Sequence, residues 1–190
     1  MPFYESIAPW YDLLFPFDEE QYSFLNRALN PGPAGGGTVR ASKEPVPRHA
    51  FLDVGCGTGS VLSSFTDRFD RVVGLDMDTA LLSIAAKKVM PGESKKVDLI
   101  EGDMNALRTY FPQDEFSFIT CLGNTLAHAR GPEPLVAILS SIRELLETDG
   151  VFVFQTMNYD RVLDTHARGL PTVERGETSL TRLYSLPKQN

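Results

Sequence analysis

Apolar and polar positions divide the chain into a regular middle and two less regular ends. From Phe51 onward, short apolar runs recur, each bounded by turn residues or an acid: Phe51–Val54, Arg71–Asp76, Val97–Glu101, Glu115–Cys121 and Val151–Met157. Runs of this length and composition read as buried strands. Between them, Thr58–Phe69, Thr79–Val89 and the stretch opened by Gly131 and Pro132 and running to Leu146 read as helices. Strand and helix alternate with short connections, which predicts an α/β fold built on a doubly wound, mostly parallel sheet. In such a sheet the ligand crevice lies outside the carboxyl ends of the strands, where the strand order switches.

The ends are read differently. The first 29 residues are rich in aromatic side chains and predict two helical pieces broken near Pro16, with Asp18 as N-cap of the second. Residues 30–48 have the composition of a flexible surface insertion. They do not mark a domain boundary, because what precedes them is too short to fold alone. The expected organisation is therefore one domain over 1–190: a helical lead-in (1–29), the insertion (30–48), an α/β core (49–157) and a C-terminal segment (158–190) in which one or two short strands are visible.

Composition narrows the function classes. The chain has 190 residues, 42% hydrophobic and 23% charged, with a net charge of −7. This is ordinary for a globular domain and poorly suited to holding a nucleic-acid backbone. The only basic concentration, Lys87, Lys88, Lys95 and Lys96 around a Pro-Gly turn, reads as a solvated loop. No apolar run reaches the ~18 residues of a membrane span, and the N-terminus lacks the pattern of a secretion signal. A cytoplasmic protein without membrane or nucleic-acid partners, and without a metal, is the expectation. Cys56 and Cys121 fall at the ends of strands expected to be neighbours. They read as small residues lining a crevice rather than as a redox pair.

The chemistry concentrates at the first strand end. Gly55, Gly57 and Gly59 follow it at alternate positions, with Asp53 just before them. Glycine can take positive φ and lets a ligand approach the backbone, so the turn is expected to offer bare N–H groups at a helix start. The dinucleotide fingerprint G-x-G-x-x-G is not met, and Ser60 stands where it wants Gly or Ala. Asp76 ends the second strand, where a carboxylate can accept hydrogen bonds from both hydroxyls of a ribose. Asp78 or Thr79 is left to cap the following helix.

The pattern Asp53-x-Gly55-x-Gly57-x-Gly59 resembles motif I of the class I S-adenosylmethionine-dependent methyltransferases. That resemblance implies a Rossmann-like fold and S-adenosylmethionine as cofactor, with S-adenosylhomocysteine as product. It implies that Gly55, Cys56 and Gly57 wrap the methionine end, that Asp53 contacts its amino group, and that Asp76 and Met77 hold the ribose. Gly102-Asp103-Met104 resembles the family segment whose aspartate accepts from the adenine amine and whose next residue lies on the ring. The opening FYESIAPWYD resembles the lead-in that lies over the cofactor as a lid. This makes Tyr4, Trp10 and Tyr11 candidates to face a sulfonium, against the alternative that they only pack a helix on the sheet.

The segment CLGNTLAH at 121–128, followed by Asn158-Tyr159-Asp160, is similar to the glycine/sarcosine N-methyltransferase group, and the likeness covers most of 3–163. It implies that Leu122 touches the cofactor through its backbone. It also implies that Tyr4, Gly123, Asn124 and His128 face a small-molecule acceptor, with Asn124 and His128 in catalytic roles. A buried histidine bonded to a carbonyl is the alternative for His128. The group has an arginine before N-Y-D that clamps a carboxylate; here that position is Met157, and Arg161 or Arg182 would have to replace it. N-methylation by in-line displacement is expected over O-methylation, because a hydroxyl needs a base and His128 is the one local candidate. The second reading is a non-catalytic S-adenosylmethionine-binding or partner-docking module. The family's sheet closes with an antiparallel hairpin, and both of its strands cannot be found in 164–190. The edge is expected to be incomplete, which favours self-association.

Overall fold

A computed structural model describes residues 2–30, 48–89, 97–112, 116–165 and 169–183. Residues 31–47 of the expected insertion, together with Lys95 and Lys96, lie outside the described residues.

The apolar runs form five parallel strands: β1 (Ala50–Val54), β2 (Arg71–Asp76), β3 (Val97–Glu101), β4 (Phe116–Cys121) and β5 (Leu146–Phe154). Their order is β3-β2-β1-β4-β5. β1 and β4 are buried at every position, as expected for central strands covered on both faces. The order reverses between β1 and β4, which sets the crevice at their carboxyl ends. In the register, Asp53 stands opposite Gly74 on one side and Thr120 on the other.

The helices are α1 (Pro2–Ile7), α2 (Tyr11–Leu14), α3 (Glu19–Leu29), α4 (Ser60–Phe65), α5 (Thr79–Val89), α6 (Leu107–Tyr110), α7 (Pro132–Leu145) and α8 (Tyr159–Asp164). One face of the sheet packs against α6 and α7, through Leu107, Phe111, Ile138, Ile142 and Leu145. The other face carries a phenylalanine cluster in which Phe51 lies 5.3 Å from both Phe69 and Phe118. Leu25 and Leu29 of α3 close this face. Of the two helical pieces before the insertion, α3 thus belongs to the core, and Asp18 starts it with a capping box: its carboxylate accepts from Gln21 N at 2.9 Å while the Gln21 side chain accepts from Asp18 N at 3.2 Å.

Two elements and the C-terminal segment differ from the sequence pattern. The helix expected over Thr58–Phe69 is α-helical only over Ser60–Phe65, followed by a 3₁₀ turn at Thr66–Arg68. β5 begins at Leu146 rather than Val151. Thr148-Asp149-Gly150, expected to be the turn before it, is an irregularity inside the strand, with Asp149 left-handed at φ 71°. β5 also ends at Phe154, so Gln155–Met157 continue as a loop. Finally, both strands of a C-terminal hairpin exist, β6 (Gly169–Arg175) and β7 (Thr178–Leu183), paired antiparallel as a separate sheet. β7 alternates in burial, but Thr178 and Arg182 fill inward positions while Leu183 is exposed, so the apolar alternation that marks a strand is faint. Among the described residues β5 pairs only with β4.

Candidate active site

The glycine turn is the floor of the site. Gly55 and Gly57 sit at φ 77° and 54°, a region that favours glycine. A Cβ on Gly55 would lie 2.5 Å from Thr125 Cγ2, and one on Gly57 would meet the Tyr11 ring at 3.6 Å. Tyr11 therefore covers the turn. Four N–H groups of the turn are already bonded. Gly55 N and Cys56 N donate to Leu75 O at 2.7 and 3.1 Å, Gly59 N to Cys56 O at 2.9 Å, and Gly57 N to Asp76 Oδ2 at 2.8 Å. These four bonds make the backbone from Gly55 to Gly59 a rigid surface.

Asp76, at the end of β2, accepts from Gly57 N and, through Oδ1, from Asp78 N at 2.9 Å. Each oxygen keeps a lone pair for a ligand hydroxyl. Burial raises the Asp76 carboxyl, opposed by these backbone bonds. Asp78 caps α5, accepting from Ala80 N and Leu81 N at 3.1 Å each. Of the two capping candidates, Asp78 is thus the one whose side chain takes the role. Asp53 is almost wholly buried in β1 and accepts from Thr120 Oγ1 at 2.6 Å. Burial, together with the nearby Asp76 charge, pushes its carboxyl up to about 7 against the Thr120 bond. Cys56 and Cys121 are buried free thiols, both raised by burial.

Two contiguous spaces open over this floor. A crevice is lined by Asp76, Met77, Leu81 and Met104 together with Tyr4, Tyr11, Gly123, Thr125 and His128. It joins a wider groove lined by Asp53, Cys56, Gly57 and Leu122, with Gln155 and Phe154 beyond the end of β5. Gly55, Tyr11, Gly123 and Thr125 border both. Trp10, half-exposed on the lead-in, is not in either lining.

His128 is exposed at the rim rather than buried, and its Nε2 shares a 3.0 Å hydrogen bond with the Tyr4 hydroxyl. Burial raises the Tyr4 hydroxyl, reinforced by the Asp76 charge and opposed by Arg182. Burial likewise raises Tyr11. The histidine is thus paired with a neutral phenol.

Asp103, Asn124 and Met157 line neither space. Asp103 is held by Asn105, accepting from its backbone N at 2.9 Å and its side-chain Nδ2 at 2.7 Å. Asn124, left-handed at φ 67°, donates to the Tyr159 hydroxyl at 2.9 Å and accepts from Met157 N at 3.0 Å and Thr156 Oγ1 at 3.3 Å. Its carboxamide ties the loop after β4 to the segment after β5. Arg161 is exposed. Arg182, on β7, stacks over Phe15 at 5.1 Å.

One cluster was not anticipated. Asp12 accepts from the Thr58 hydroxyl and from Ser60 Oγ at 3.1 Å, and pairs with Lys88 Nζ at 2.7 Å. Lys88 also donates to Ser60 Oγ at 2.8 Å. It is therefore not the solvated lysine that its neighbours in sequence imply. The acid beside Tyr11 in the lead-in was the available signal, but its partner on α5 is remote in sequence. Among the described residues there is no cluster that could hold a metal.

An α/β sheet with a glycine turn, an acid at the next strand end and a crevice at the switch point defines a nucleoside-binding enzyme fold. Residues 51–150 match the family model described as a methyltransferase domain, and the chain belongs to the S-adenosylmethionine-dependent methyltransferase family, with the class I fold. It is 31% identical over 134 residues to the dTDP-3-amino-3,6-dideoxy-alpha-D-glucopyranose N,N-dimethyltransferase of Streptomyces fradiae, covering 70% of this chain and 49% of that protein. The S-adenosylmethionine-bound amino pentose methyltransferase of calicheamicin biosynthesis from Micromonospora echinaspora superposes with a TM-score of 0.54 at 28% identity, over 73% of this chain and 49% of that one. An S-adenosylmethionine-dependent methyltransferase from Clostridium acetobutylicum shares the fold, with a TM-score of 0.67 at 20% identity over 92% of this chain and 65% of that one. The chain spans about half the length of the curated relatives it matches.

Proposed function

We propose that the chain binds S-adenosylmethionine at the carboxyl ends of β1, β2 and β4 and directs its methyl group to an amine on a small molecule. The observation that carries this reading is the coupling of Asp76 to the glycine turn: one carboxylate oxygen is fixed by Gly57 N while the group borders the crevice. The residues present fit the cofactor. Asp76 is the acceptor for the ribose hydroxyls, with Met77 beside it. Leu81 and Met104 give apolar walls for an adenine; Asp103, held by Asn105 outside the crevice, is not part of that fit. Asp53 opposes an ammonium, and Gly55, Cys56, Gly57 and Leu122 surround the methionine end. The Tyr11 ring on Gly57 suits a sulfonium. When bound, the cofactor supplies the activated methyl group.

The chain's own residues orient and deprotonate. Alignment of the reacting atoms can lower the barrier by ~7–11 kcal/mol. His128, exposed at the rim, accepts the proton that the acceptor loses, and Tyr4 fixes its ring. Asn124 acts through the loop it ties, and Gly123 leaves the wall open beside it. An amine acceptor is favoured by the Streptomyces and Micromonospora proteins, both named for amino sugars. Met157 offers no cation to a small carboxylate. Cytoplasm is the expected compartment; no helix among the described residues is long and apolar enough to cross a membrane.

The test is transfer of radiolabelled methyl from S-adenosylmethionine to a nucleotide-linked amino sugar, with glycine and sarcosine alongside. Label in the amino sugar and little in glycine or sarcosine is the expected result. Efficient labelling of glycine would overturn the reading of Met157. Tight cofactor binding without transfer to any amine would favour a non-catalytic binding module.

A further inference from the structure

The Asp12 cluster joins three elements that the sheet does not connect. Asp12 lies in α2 of the lead-in, Thr58 in the glycine turn, Ser60 at the start of α4, and Lys88 near the end of α5. The next residue before Asp12 is Tyr11, whose ring rests on Gly57. Where Asp12 is held, Tyr11 is held over the turn. Burial alone would raise the Asp12 carboxyl; the bonds from Lys88, Thr58 and Ser60 outweigh it and hold the carboxyl below its usual range. The pair is half-open to water, Lys88 at 27% and Asp12 at 45% side-chain exposure, so dissolved salt can reach and weaken it.

We propose that Asp12 and Lys88 are positioning residues, forming an ionic latch that holds Tyr11 against Gly57 and keeps the lead-in closed over the methionine end of the cofactor. Lys88 is the keystone, because it donates to Asp12, Thr58 and Ser60. Opening the latch loosens the Tyr11 end of α2 without breaking a bond of the parallel sheet, while buried Leu14 keeps the helix docked, so cofactor exchange is the step it governs. The latch rests on the reading that S-adenosylmethionine occupies this crevice.

The experiment is rapid-mixing measurement of S-adenosylhomocysteine dissociation, followed by Trp10 fluorescence. Trp10 is the single tryptophan and adjoins Tyr11. In the unmodified protein, dissociation is expected to accelerate as sodium chloride rises from ~0.02 to ~0.5 M. Asp12→Asn and Lys88→Met should each speed low-salt dissociation about tenfold, as for loss of one charge-assisted hydrogen bond, and flatten the salt dependence. The exchange Asp12→Lys with Lys88→Asp should recover slow dissociation, because the two hydroxyls can donate or accept. Lys87→Met, on the exposed neighbour, should change nothing. Salt-independent dissociation of the unmodified protein, or single variants that release the ligand at its rate, would overturn the latch while leaving cofactor binding in place. An unmodified protein that binds no S-adenosylhomocysteine would overturn the proposed function instead, and the latch with it.

Discussion

Asp53 is the residue whose protonation is most exposed to test. Its folded-state carboxyl stands at about 7 because β1 buries it, above the ~3.9 of an unfolded aspartate. A raised acid contributes stability that is fully present below the unfolded value and is lost as pH rises toward 7. An ammonium placed against Asp53 reverses the preference and favours the carboxylate. If only the ionised form binds, S-adenosylhomocysteine affinity should rise about tenfold between about pH 6 and about pH 8. Titration calorimetry across that range checks it, and Asp53→Asn should flatten the profile. The two acids of β2 and its following turn separate in the same way. Asp76→Ala should weaken cofactor binding by roughly 1.5–3 kcal/mol, whereas Asp78→Ala should cost about 0.5–2 kcal/mol of stability, read by denaturant titration, and little affinity. Loss of binding in Asp78→Ala alone would place the ribose elsewhere.

At the scale of elements, the strand ends are positioned by packing that leaves little slack. Gly74 in β2 faces the glycine turn so closely that an added Cβ would lie 2.6 Å from Leu62 Cδ1 and 2.8 Å from Cys56 Sγ. Gly74→Ala should destabilise the fold by roughly 1–3 kcal/mol, by overpacking between β2 and α4. Thermal unfolding without cofactor measures it. Elements such as α5 and β3 were legible to their end residues because a capping acid or an abrupt change in polarity bounds each one. β5 was not, because Asp149 adopts a left-handed conformation inside a strand, and local pattern reads that as a turn. β6 and β7 were half-legible, since polar residues such as Thr178 and Arg182 fill half-buried positions and blur the apolar alternation. The same limit hid the Asp12–Lys88 pair, and the inward tie of Asn124 to Tyr159, whose partners lie far apart in sequence. What could be read was the placement of contiguous residues: the glycine turn, Asp76 and the loop after β4 meet at one crevice.

For the whole molecule, the proposed function depends on one property: the crevice between the two halves of the sheet is a site for S-adenosylmethionine. Ligand that binds only the folded chain must stabilise all of it, since β1, β2 and β4 supply both the core and the site. At a free concentration ~100 times Kd the gain is ~2.7 kcal/mol. The most direct measurement is a melting curve of the intact chain with S-adenosylmethionine, S-adenosylhomocysteine or NAD at matched concentrations. The account predicts a rise in Tm with each of the first two that grows with ligand concentration, and none with NAD. Stabilisation by NAD alone, or by none of the three, would contradict it.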